Sequence, residues 1–117
     1  MPIRVLNFRR DQARPIEAYA SSRAHSCAIA NGHGESHVYV IHLEPGGQIG
    51  PHPAGFDQVF LAMHGSGWVA GSDGIRHSIE EGRGALIPTG EIHSKGSDTG
   101  MVAVMIQATA LNIEPVS

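Results

Sequence analysis

Lysine occurs once in the chain, as Lys95, cysteine once, as Cys27, and tryptophan once, as Trp68. Each scarcity excludes a class of protein. A single cysteine cannot form an intrachain disulfide or a zinc site built on several thiolates, so disulfide-stapled secreted scaffolds are excluded and a reducing compartment is expected. One lysine, and arginines scattered apart from the Arg9, Arg10 pair, give no cationic cluster able to displace counterions from a duplex, so nucleic acid is not an expected partner. Charged residues make up 16% of the 117, against roughly 25% in typical soluble domains, and the formal net charge is -3. Long apolar runs are also missing. The run Met101 to Ile106 falls far short of the roughly 18 residues a spanning helix needs, and the arginine-bearing N-terminus is not followed by an apolar stretch of signal-peptide type. The expectation is a soluble cytoplasmic protein with no membrane partner.

What is abundant is glycine, with 15 residues, and histidine, with eight. The length suits one domain. Residues 1–22 read as an N-terminal arm, in which Asp11 to Pro15 could start a short helix, and 23–117 as a single barrel. From Arg23 onward short apolar or alternating segments are broken by Gly, Pro, Asn, Asp and Ser clusters, the pattern of many short strands. The expected strands are Ala24 to Ala30, His37 to Glu44, Gln58 to His64, Gly67 to Ala70, Ile75 to Ile79, Gly84 to Pro88, His93 to Lys95 and Met101 to Ala108. Asn31 to Gly34, Pro45 to Gly47 and Pro51 to Pro53 read as breakers between them. Asp73-Gly74 is the strongest hairpin signal, since both residues tolerate the positive φ of a type I′ turn. No helix of ordinary length fits after residue 23. The fold class is all-β, with two sheets burying alternate side chains against each other in a sandwich or jelly roll.

Two blocks carry a histidine at a testable spacing. The first runs from Gly46 through His52, Ala54 and Gln58 to Gly65, the second from Gly82 through Pro88 and Gly90 to His93 and Ser97. Together they resemble the paired motifs of the cupin family, G-x5-H-x-H-x3-4-E-x6-G and G-x5-P-x-G-x2-H-x3-N. Gly46, His52 and Gly65 match the first, and Gly82, Pro88, Gly90 and His93 match the second without a gap. The resemblance implies a cupin-type double-stranded β-helix, or jelly-roll, barrel and a homodimer. It also implies a divalent transition metal (Fe, Mn, Zn or Ni) held by two histidines and a glutamate of the first motif and one histidine of the second.

The departures bear on that metal. Ala54 stands at the second histidine position, Gln58 at the glutamate and Ser97 at the final asparagine, which leaves His52, Gln58 and His93 as the metal set. Replacing carboxylate by amide removes the charge that offsets a cation in a low-dielectric interior, and replacing His by Ala removes a donor. Along a strand side chains alternate faces, so if Gln58 points inward then Phe60 and His64 share its face. The candidate ligand pocket is therefore His52, Gln58, Phe60, His64 and His93. His37 and His42 have opposite parity on one strand, so at most one faces inward, while His25, His33 and His77 fall near turns. Trp68 and Tyr39 read first as packing or surface residues, Cys27 as a small core residue, and Glu80-Glu81 as a solvated turn.

Three functions fit this pattern. The first is a barrel that binds a small molecule, with or without a weak divalent metal. The second is a metal-dependent oxygenase, isomerase or decarboxylase acting on a small organic acid, with an open metal position beside Ala54. The third is a metal-free epimerase or lyase with His52 or His93 as general base. One barrel hosts many reactions, so the fold alone does not choose among them.

Overall fold

The computed structural model describes residues 3–113. Its ten strands in chain order are β1 (Arg4–Asn7), β2 (Arg14–Pro15), β3 (His25–Ser26), β4 (Ala30–Leu43), β5 (Gln48–Pro53), β6 (Asp57–Ala70), β7 (Arg76–Glu80), β8 (Arg83–Ile87), β9 (Ile92–Gly96) and β10 (Met101–Ile113). Every pairing is antiparallel. One sheet runs β1-β8-β6-β10-β4, the other joins β5, β9, the second half of β6, and β7, and β2 with β3 forms a small separate ribbon.

β6 belongs to both main sheets. Its first half pairs with β8 and β10, and from Ser66 to Ala70 it pairs with β7 and β9. The change of sheet falls at Gly65, whose φ is +79°; a Cβ there would lie 2.3 Å from the Gly100 carbonyl oxygen. Only glycine fits that conformation and that approach.

Cross-strand register stacks the inner face of the large sheet in layers. Gln58, Gln107 and His37 stand in one row, Phe60, Met105 and Tyr39 in the next, Ala62, Ala103 and Ile41 in a third. The lower layers merge with Leu43, Val69, Ile79, Ala85 and Met101 into one buried cluster. On the outer face Val59, Leu61 and Leu86 are covered by Leu6 and Phe8 from the N-terminal segment and by Ile29. Apolar layering thus closes the barrel at one end, and the row with the two glutamines and a histidine lies at the other.

Several sequence expectations change here. The N-terminal segment contributes β1 to the large sheet, and the short helix expected at Asp11 to Pro15 is one 3-10 turn at Arg10–Gln12. Asn31 to Gly34 does not interrupt β4. Gly34 takes φ +90° opposite a register shift between Ala108 and Ala110, which absorbs the irregularity inside the ladder. Gln48–Pro53, expected as loop, is β5, and its prolines are tolerated because it pairs with β9 alone. Cys27 lies between β3 and β4, half-buried, with Sγ 3.5 Å from the Phe8 carbonyl oxygen. The Asp73-Gly74 turn is wider than a two-residue hairpin: β6 and β7 first pair at Ala70 and Arg76. Gly74 (φ +74°) donates to the Gly71 carbonyl at 3.0 Å and Asp73 Oδ1 accepts from the Ile75 amide at 2.9 Å.

Candidate functional site

β5 and β9 bring the two motif histidines together. His52 and His93 are direct cross-strand partners, with ring centroids 4.4 Å apart. The Nδ1–H of His52 donates to the Gly50 carbonyl at 2.8 Å, and that of His93 to the Glu91 carbonyl at 3.1 Å, because a carbonyl oxygen only accepts. The neutral form of each ring therefore carries its lone pair on Nε2. His52 is exposed at the rim, whereas His93 is fully buried. Burial, then the nearby Lys95 ammonium, holds the His93 pKa down at about 4, so its ring is neutral at pH 7. Its Nε2 is buried with no hydrogen-bond partner among the described residues.

Gln58 and Phe60 take their expected inward places on β6, 2% and 0% exposed. The residue missed from sequence is Lys95. It follows His93 by two along β9, so the two side chains share a face. Its side chain fills the barrel centre, 1% exposed. Nζ donates to Gln58 Oε1 at 2.7 Å, lies 3.8 Å from Met105 Sδ and sits 5.0 Å from the Phe60 ring centroid. Burial lowers its pKa to about 8, which leaves it mostly charged at neutral pH. Parity with His93 is the signal in the sequence that points to it, though lysine is rarely buried.

His64 does not join the pocket. A register shift between Val102 and Ala103 on β10 places Val102 opposite His64 and Ala103 opposite Ala62, so the strand's alternation breaks before His64, which is exposed. Of the other histidines, His37 faces inward, edge-on to Phe56 at 5.3 Å and stacked with Tyr39 at 6.3 Å, and His42 is exposed. His37 Nε2 meets Glu35 Oε2 at 2.6 Å. Ala54, at the position of the family's second histidine, is 4% exposed and stitches the motifs together through its backbone: its amide donates to Glu91 O at 3.0 Å and its carbonyl accepts from Gly90 at 2.8 Å.

These residues do not suit a divalent cation. No group of three or more His, Cys, Asp or Glu side chains converges among the described residues. Beyond the two imidazoles the expected set has only Gln58, whose amide oxygen already accepts from an ammonium. At about 4 Å and an effective dielectric near 20, a unit charge repels a divalent ion by about 8 kcal/mol, twice the figure for two unit charges. The interior already holds its positive charge on Lys95.

Comparison with solved structures agrees with the architecture. A cupin-like protein from Thermotoga maritima superposes with TM-score 0.60 at 18% identity, over 69% of this chain and 65% of that one. An RmlC-like cupin from Shewanella frigidimarina gives 0.59 at 21% identity, over 65% and 68%. Salicylate 1,2-dioxygenase from Pseudoaminobacter salicylatoxidans, in complex with gentisate, gives 0.59 at 17% identity over 68% of this chain and 24% of the dioxygenase. No protein-family profile matches the sequence, and no curated protein does. The chain has the all-β cupin barrel fold.

Proposed function

We propose that this barrel binds a small organic anion at its polar end without a metal. The observation that carries the reading is the orphaned Nε2 of His93. A buried acceptor without a partner costs on the order of 1–3 kcal/mol, and a ligand hydroxyl or N–H reaching it would remove that cost. Lys95, two residues on along β9, is close enough to act on the His93 ring and supplies a positive potential in a low-dielectric setting, which favours a negatively charged oxygen. His52 at the rim and the His37, Phe56, Tyr39 cluster on the far wall give a hydroxylated carboxylate polar and ring surfaces to contact. That a fold neighbour is known in complex with gentisate, a small hydroxylated carboxylate, is consistent with this class. A base with a pKa of about 4 is mismatched to proton abstraction near neutrality, which favours binding over the epimerase or lyase alternative.

Calorimetric titration with lactate, malate and gentisate tests the reading. Binding of one of these should weaken about tenfold or more in His93→Ala, a loss of about 1.4 kcal/mol, and should not tighten with added Fe(II), Mn(II), Zn(II) or Ni(II). A full equivalent of metal by inductively coupled plasma spectrometry, lost in His52→Ala, would overturn it in favour of the metal-dependent enzyme.

We also infer a homodimer that pairs along β4. Its support is a 14-residue edge strand that pairs only with β10 among the described residues and leaves Val38 and Val40 66% and 58% exposed.

A further inference from the structure

The second half of β6 and its neighbour β7 turn Val69 and Ile79 into the core and the cross-strand pair Trp68 and Ser78 to the other face. On that outer side a cavity of about 610 Å³ is bounded by Ser66 and Trp68 of β6, Arg76 and Ser78 of β7, Arg83 of β8, and Asp98 and Thr99 after β9. It shares no residue with the His52–His93 site.

Its construction is specific. Trp68 lies across Gly96 of β9, where a Cβ would sit 2.3 Å from the indole Cζ2, so the missing side chain is what lets the ring lie flat. The Arg76 guanidinium stacks over the indole, 3.9 Å from its centroid. A stacked guanidinium is held in orientation while its edge N–H groups remain free for bidentate donation. Among the described residues neither the Arg76 nor the Arg83 guanidinium has a hydrogen-bond or ion-pair partner, and Arg83 Nε is buried without one. The obvious acid, Glu80, is already engaged by Arg9 from the N-terminal segment. Asp98, exposed, is the remaining carboxylate on the wall.

Two guanidiniums that form no ion pair among the described residues, one of them with a buried N–H, leave donors without a protein acceptor, although Glu80 and Asp98 lie on the same wall. Three hydroxyls stand on the same wall, that of Ser78 and those of Ser66 and Thr99, which lie 3.5 Å apart and share one long hydrogen bond. A phosphate group presents three terminal oxygens with more acceptor sites than a carboxylate, and paired arginines match its geometry.

We propose that this cavity is a second, phosphate-binding site, in which Arg76 and Arg83 hold the phosphate of a small phosphomonoester and Ser66, Ser78 and Thr99 face its hydroxyl-bearing remainder. Because Trp68 is the only tryptophan in the chain, its fluorescence reports this cavity directly. Titration of the full chain with inorganic phosphate and with glycerol 3-phosphate should change that emission with saturation, with a dissociation constant of about 1 mM or tighter. Arg83→Met and Arg76→Gln should each weaken binding about tenfold, and Arg76→Lys, which keeps the charge but not the fork, should also weaken it. His93→Ala should leave phosphate binding unchanged, which separates this site from the barrel interior. Circular dichroism and a thermal melt confirm that each variant is folded; if Arg83→Met unfolds, Arg76→Lys carries the test. No saturable change with either probe, equal weakening by the remote Arg4→Gln, or acetate binding as tightly as phosphate would overturn the proposal.

Discussion

Lys95 is held where a cation is costly. Its folded pKa of about 8 lies below the 10.5 of the unfolded chain, so between these values the unfolded state binds more protons and stability rises with pH. Below pH 8 the charged side chain carries the whole penalty, on the order of 3 kcal/mol. The wild type should therefore gain stability from pH 8 to pH 10 in denaturant melts. In Lys95→Met that rise should vanish, and stability at pH 7 should be unchanged or higher, as for other buried charges replaced by apolar side chains. An alkaline rise that persists in Lys95→Met would remove the lysine as its source. His93 titrates in the opposite region. Its folded value of about 4 lies below the unfolded 6.5, so its contribution is complete above pH 6.5 and declines by on the order of 3 kcal/mol as pH falls to about 4. His93→Gln should flatten that acid limb while leaving the alkaline one.

At the scale of elements, β6 is the piece on which the barrel depends. Asp57 fixes its start: the carboxylate accepts from the Thr89 amide at 2.8 Å, the Thr89 hydroxyl at 2.9 Å and the Leu111 amide at 3.0 Å. Burial acts to raise its pKa, but these hydrogen bonds outweigh it and leave the pKa below its ordinary value. The stability they contribute is present above the unfolded pKa and is lost as pH falls through the lower folded one, so Asp57→Asn should lose that acid dependence in melts followed below pH 4. Gly65 fixes the bend. Gly65→Ala should cost about 2–4 kcal/mol in urea denaturation, from the positive φ together with the Gly100 oxygen in the path of the new methyl. Both elements bear on what the sequence disclosed. The motif glycines and the hairpin-rich pattern suffice for the fold, and motif spacing and parity suffice to set His52 beside His93 and to turn Gln58 and Phe60 inward. Gly65 was read as the end of a strand because a glycine that terminates and a glycine that bends look alike locally. Met63 is an extra residue on β6 with no partner on β10, so period-two counting along β6 puts His64 on the wrong face. Pro51 and Pro53 concealed β5, since only tertiary context shows that its outer edge needs no donors. The charge at the barrel centre is hidden in a different way: Lys95 stands out in the sequence only as the one lysine, and nothing local marks a lysine as buried.

At the scale of the whole molecule the scarcity of lysine has a second consequence. Natural sheets guard free edges with lysine, proline or very short strands. β4 is 14 residues long, contains no lysine and no proline, and closes the large sheet with its outer edge unpaired among the described residues. Its even-numbered residues Val38 and Val40 stand exposed on the outer face, beyond the part that the N-terminal segment covers. The homodimer proposed above would cover this edge with a second copy. Antiparallel pairing about a two-fold axis perpendicular to the sheet keeps opposed side chains on the same face, and an axis at Tyr39 sets Val38 against Val40 of the second copy, twice over. Multi-angle light scattering should then give a dimer mass for the wild type, and Val40→Lys, which restores the missing gatekeeper, should shift it to monomer with little change in the far-ultraviolet spectrum. Val5→Lys, at a 43% exposed apolar position on β1 across the sheet, should leave the dimer intact. A wild type that is monomeric at its highest soluble concentration, or a dimer indifferent to Val40→Lys, would mean that β4 is not the contact.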